Sequence, residues 1–232
     1  MIKENLLKIK ERISLVCSKT NRDPNSITIV AVSKGRTVER IKEAIAAGIT
    51  DIGENKVQEA LVKFNELRTQ ELASSRTIKW HMVGHLQTNK VKTAVKIFDL
   101  IHSVDSLDLA AEIDKQAARI NKIQDILIEV KTSPETTKFG LKPEEKVEVI
   151  QEIVKFKNIN TKGLMTIAPI VDNPKETRSY FRKLRELRDE INALSTVNSQ
   201  LSALSMGMTD DFEIAIEEGS NMVRLGRALF EG

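Results

Sequence analysis

Lys34 closes the first apolar run of the chain, Ile27-Thr28-Ile29-Val30-Ala31-Val32-Ser33, with small Ser33 before it and Gly35 after it. A primary amine at the mouth of a buried strand suits Schiff-base formation or phosphate binding. The opposing reading is a solvated lysine opening a loop, the default for a residue type that with arginine fills 36 positions. Two glycine-bearing turns add an anion site. Ser205-Met206-Gly207-Met208-Thr209 precedes a helix opening on Asp210-Asp211-Phe212, and a helix N-terminus offers free N–H groups and the positive end of the dipole. Gly219-Ser220-Asn221 runs through an apolar segment to Gly226-Arg227. Together they point to a phosphorylated ligand.

These groups need a scaffold that gathers strand ends, and the hydrophobic pattern supplies one. Residues 2–19 carry Ile2, Leu6, Ile9, Ile13 and Val16 at helical spacing, ahead of a first strand at 27–33. Thr37 caps a helix closed by Gly48, and a second strand follows at 50–53. Helices over 56–72, 88–97 and 106–120 alternate with strands at 78–83, 99–104 and 126–130. Pro143 and Pro174 stand at first-turn positions of two further helices, on either side of a sixth strand at 163–167. The seventh strand falls near 202–206 and the eighth at 222–225, while 194–200 reads as a loop. Parallel strands need crossovers, and eight units permit closure. The expectation is an α/β fold, a (β/α)₈ TIM barrel over residues 1–232 as a single domain, rather than an open doubly wound sheet, because no glycine-rich dinucleotide fingerprint follows the first strand.

A barrel would bring Lys34, Glu54, Asn55, His85, Ser103, Asp105, Lys131, Thr132, Thr166, Ser205 to Met208 and Arg224 to one face. The phosphate turns then fall at the seventh and eighth units, the common phosphate position of such barrels. Other groupings carry less. His81 and His85 straddle the end of a strand at Gly84, so they make a poor metal pair. Arg178, Arg182, Arg185 and Arg188 among Glu176, Glu186 and Glu190 read as a solvated outer helix. Charge nearly cancels, at net +3 with no single-sign block, which argues against a nucleic-acid partner. No uncharged apolar run approaches twenty residues, so neither an export signal nor a membrane span is expected. Cys17 is the sole cysteine, which excludes an internal disulfide and fits a reducing cytoplasm.

Several motifs read together carry a resemblance: Ala31-Val32-Ser33-Lys34, Gly53-Glu54-Asn55 with Val57-Gln58-Glu59, Trp80-His81 with Gly84-His85-Leu86-Gln87-Thr88-Asn89-Lys90, Gly163-Leu164-Met165, Leu204-Ser205-Met206-Gly207-Met208 and Met222-Val223-Arg224-Leu225-Gly226. From about residue 5 to the C-terminus the chain resembles the pyridoxal phosphate homeostasis protein family, a single-domain relative of the alanine racemase barrel. The resemblance implies that Lys34 holds pyridoxal 5′-phosphate (PLP) as an aldimine, in a role in vitamin B6 and amino-acid homeostasis without established turnover. It implies a cofactor-binding set of Lys34, Asn55, Ser205, Met206, Arg224, Gly226 and Arg227, with His85 and Thr166 as lesser members. Lys56, Gly35-Arg36 and Arg227 depart from the family's usual tyrosine, Thr-Lys and threonine.

An amine condenses with an aldehyde only when unprotonated, so partial burial and a nearby Arg224 are expected to lower the Lys34 pKa. Arg224 would face either the pyridine nitrogen or the phosphate. A PLP-dependent racemase or decarboxylase is the alternative, but the only tyrosine, Tyr180, is expected in an outer helix, and with eight residues after Arg224 the second domain those enzymes need is not expected. A Schiff-base aldolase would draw its lysine from a later strand, and a protein-binding module would show a sticky face. The partners expected are PLP and apo forms of PLP-dependent enzymes, with the chain acting as a monomer in the cytoplasm.

Overall fold

The computed structural model describes residues 1–69, 78–133, 140–141, 146–194 and 200–231. Eight parallel strands close into a barrel in sequence order: β1 (Thr28–Val32), β2 (Asp51–Glu54), β3 (Lys79–Met82), β4 (Leu100–Val104), β5 (Gln124–Glu129), β6 (Ile159–Met165), β7 (Ala203–Ser205) and β8 (Met222–Leu225). The eighth strand pairs back on the first, with Val30 opposite Arg224. Around the barrel run α1 (Ile2–Lys19), α2 (Val38–Ala47), α3 (Val57–Thr69), α4 (Val91–Ile97), α5 (Leu107–Ala118), α6 (Lys146–Ile153), α7 (Arg178–Ala193), α8 (Phe212–Glu217) and α9 (Arg227–Phe230). Only four residues form α9, and α1 packs against α2, α8 and α9.

Local chemistry sets the boundaries. The Thr37 hydroxyl accepts from the Arg40 N–H at the start of α2, and Gly48 ends that helix at φ +112°, a conformation glycine adopts without a Cβ penalty. Ser106 caps α5 by accepting from the Leu109 N–H. Pro174 opens a 3₁₀ turn, Pro174–Thr177, that leads into α7. Pro143 and positions 195–199 of the expected loop lie outside the described residues. The sixth strand begins at Ile159, four residues earlier than its apolar run suggests, because Ile159, Asn160 and Thr161 pair with Gln124, Asp125 and Ile126. Gly163 sits mid-strand, where a Cβ would fall 1.9 Å from the Ala203 carbonyl oxygen.

Two faces of each strand bury different chemistry. The outward face joins the helices in one large apolar core that includes Ile52, Ile101, Ile126, Leu204 and Val223. The lumen holds a small apolar layer of Leu100, Leu127 and Met165, with Ala203 and Met222 packed on it. Gly53 leaves room there, since its Cβ would meet Val30 at 2.9 Å and Val83 at 3.4 Å. Above and beside this layer the lumen is polar, with buried His81, His102, Ser205 and Arg224.

Candidate functional site

Lys34 lies in the turn after β1, at the C-terminal mouth of the barrel, and its side chain is exposed. The expected partial burial of this amine is therefore not found; the neighbours on either side of it are what burial fixes. Lys63 of α3, 6 % exposed, donates from Nζ to the Ser33 carbonyl (2.7 Å), to Glu54 Oε1 (2.7 Å) and to Glu59 Oε1 (2.6 Å). The same Glu59 oxygen accepts from the Gly35 N–H at 2.6 Å, and the Ser33 hydroxyl donates to Glu54. Backbone groups on both sides of Lys34 are thus tied to one helix. Glu54, fully buried, has its carboxyl raised above the usual range chiefly by burial, with Lys63 opposing. The other oxygen, Oε2, has no hydrogen-bond partner. Nothing in the sequence marks Lys63 except its i,i+4 spacing from Glu59.

Arg224 projects into the lumen from β8. Nη1 donates to the Ser205 carbonyl (2.7 Å) and hydroxyl (2.6 Å), and Nη2 donates to the Thr166 carbonyl (2.8 Å). Burial pulls its pKa down to about 10, which leaves the guanidinium charged at neutral pH. Thr166 donates to the Val130 carbonyl at 2.8 Å, and the Thr132 hydroxyl lies 3.0 Å from its oxygen. Glu129 stands beside this group, its carboxyl pushed up to about 7 by burial and by the charge of Asp105, with Arg224 pulling the other way. Such a carboxyl is half protonated at neutral pH. Glu129 carries no local signal in the sequence, and His102 only that of a histidine inside the apolar strand Leu100-Ile101-His102.

The expected phosphate turn divides in two. Ser205 and Met206 are fully buried, the Ser205 hydroxyl contacts Arg224 and His102 Nδ1 (2.9 Å), and the Met206 N–H donates to the Met222 carbonyl. Both are buried at the C-terminal end of β7. The Met208 N–H at the entry to α8 is taken by Asp211 Oδ1 at 2.6 Å, so that helix start already serves a carboxylate. Gly226 and Arg227 remain at the rim, joined to Thr209 through the Ala228 N–H at 3.2 Å. The Arg227 guanidinium pairs with Asp210, leaving its backbone as the group offered to a ligand.

Asn55 follows β2 at the mouth, and Gly84 lets the next loop close on it, since a Cβ there would sit 2.5 Å from the Asn55 carbonyl oxygen. His85, exposed, lies 3.4 Å from Asp105. Among the described residues no histidine, cysteine and carboxylate cluster could hold a metal. Three of the four outer-helix arginines are not simply solvated: Arg178, Arg182 and Arg185 converge on buried Glu218. An amine at the rim, a charged guanidinium beneath it and backbone donors across the mouth suit an aldehyde-bearing aromatic phosphate.

The model of the alanine racemase N-terminal domain family matches residues 5–232. A pyridoxal phosphate homeostasis protein of Aquifex aeolicus is 44% identical over 227 residues, covering 98% of this chain and 96% of its own. One from Escherichia coli is 34% identical over 232 residues, covering 99% and 95%. PipY of Synechococcus elongatus, solved with PLP bound, is 33% identical with a TM-score of 0.86, covering 99% of this chain and 100% of its own. An alanine racemase from Clostridium difficile, 19% identical with a TM-score of 0.71, covers 98% of this chain and 56% of its own, a likeness of fold.

Proposed function

Because the chain belongs to the pyridoxal phosphate homeostasis protein family, we propose that it binds PLP at the C-terminal mouth of the barrel and serves cytoplasmic cofactor and amino-acid homeostasis as a carrier and buffer. The observation that carries this reading is the clamped turn, in which Lys63 and Glu59 fix the Ser33 carbonyl and the Gly35 N–H on either side of Lys34. Held this way, one amine is presented above a buried arginine.

When bound, PLP supplies an aldehyde that an amine captures reversibly and a ring that can accept electrons. Lys34 supplies the amine. Arg224 is a permanent donor here, and facing the pyridine nitrogen it keeps that atom an acceptor, which weakens the ring as an electron sink and favours holding over turnover. The backbone at Gly226 and Arg227, with Thr209 beside it, receives the phosphate; Ser205, Met206 and Thr166 support Arg224 and the rim from below, while Asn55 and His85 flank the ring. The single tyrosine, Tyr180, is on α7 outside the barrel with its ring facing Lys183, so no phenol stands at the mouth to act as a second base.

Loading with PLP, reduction with borohydride and peptide mapping tests the assignment. The expected result is cofactor mass on Lys34, lost in Lys34→Ala with the visible absorbance. Undiminished affinity in that variant, or racemisation well above that of free PLP in the parent, overturns it. Transfer to an apo-enzyme in the presence of an aldehyde trap separates direct delivery from buffering.

A further inference from the structure

A line of hydrogen bonds crosses the barrel lumen from its floor to the proposed cofactor site. Asp51 begins β2 at the N-terminal end, and its Oδ1 lies 2.9 Å from His81 Nε2 on β3. His81 Nδ1 lies 2.9 Å from His102 Nε2 on β4. His102 Nδ1 then reaches across the lumen to the Ser205 hydroxyl on β7, 2.9 Å away, and that oxygen accepts from Arg224 Nη1 on β8. Both rings are buried.

With both rings neutral, the charges at the two ends dictate which way every hydrogen points. Arg224 can only donate and ionised Asp51 can only accept. Ser205 takes a hydrogen from Arg224 and gives its own to His102 Nδ1. His102 must then carry its hydrogen on Nε2 and donate to His81 Nδ1, and His81 must carry its hydrogen on Nε2 and donate to Asp51. Burial, with the Arg224 charge also opposing protonation, holds His102 well below the usual imidazole range, consistent with a neutral ring. Hydrogen bonds in such a chain polarise one another.

We propose that Asp51, His81 and His102 are positioning residues for the cofactor site: the carboxylate on the barrel floor fixes both imidazole tautomers, which orient the Ser205 hydroxyl so that its oxygen holds Arg224 in place. The inference rests on the reading that Arg224 faces PLP, but its first test does not. Only three histidines occur in the chain, so nitrogen-15 NMR of the ligand-free protein resolves each ring. At pH 7.5 both His81 and His102 are expected as neutral Nε2–H tautomers. His102 found as the Nδ1–H tautomer or as an imidazolium overturns the proposal.

The second test is a double-mutant cycle on PLP affinity. Asp51→Asn keeps shape but can donate as well as accept, so His102 should show both tautomers, and PLP binding should weaken about tenfold, the loss of roughly one charge-assisted hydrogen bond. In a Ser205→Ala background the same substitution should change affinity less than twofold, because the link is already cut. An equal effect in both backgrounds refutes transmission through Ser205. Absence of PLP binding in the parent would instead sink the functional reading and leave the tautomer result standing.

Discussion

A buried lysine, Lys63, that holds the carbonyl before the reactive amine while pairing with the fully buried Glu54 and with Glu59 is the most consequential single residue after Lys34. Lys63→Met keeps the stem and removes the charge, leaving the buried Glu54 carboxylate without a cation and with only the Ser33 hydroxyl as a partner. Breaking such a pair should cost about 3 kcal/mol. Glu54 can then be neutralised by taking up a proton, so the loss in urea denaturation should be larger at pH 8 than at pH 5. Glu129 gives a second pH-dependent test. Its carboxyl is raised from 4.5 to about 7, so the folded state binds more protons than the unfolded one between those values, and stability from this group falls as pH rises through that window. Glu129→Gln should match the parent below pH 4.5 and exceed it by about 3 kcal/mol above pH 7. Denaturation midpoints that stay parallel across the range would contradict the assignment.

Among the elements, β6 and β7 approach so closely that Gly163 has no substitute. A methyl at that position would overlap the Ala203 carbonyl, and Gly163→Ala should lose about 3 kcal/mol or fail to fold, read from the urea midpoint. The short backbone seam between β7 and β8 is reinforced by a side chain, with Asn221 Nδ2 donating to the Ser202 carbonyl (2.9 Å) and its Oδ1 accepting from the Leu204 N–H (2.8 Å). Since this seam carries both Ser205 and Arg224, Asn221→Ala should lower PLP affinity as well as stability. Ser106→Ala, by contrast, removes only the cap of α5 and should cost about 1 kcal/mol with cofactor binding unchanged.

At the scale of the whole molecule, closure of the barrel makes the rim a single site assembled from residues nearly two hundred positions apart, so a ligand there should stabilise the entire fold. PLP at about a hundred times its Kd should add about 2.7 kcal/mol, seen as a raised Tm, and Lys34→Ala should show a much smaller rise. The alternation of apolar strands with amphipathic helices, the cap at Thr37, the glycine stop at Gly48 and the run of motifs from Ala31-Val32-Ser33-Lys34 to Met222-Val223-Arg224-Leu225-Gly226 all lay open in the sequence, because each depends on residues near one another along the chain. Lys34 and Arg224 belong to that readable part. The roles of Lys63, His102 and Asp51 do not, since a lysine four residues after a glutamate and a histidine in an apolar strand have many innocent readings. Only when the sheet closed did β4 come to face β7 across the lumen, putting His102 against Ser205. The order of the strands was written in local periodicity; which polar groups share the low-dielectric lumen, and therefore which must be partners, was decided by the closure of the cylinder.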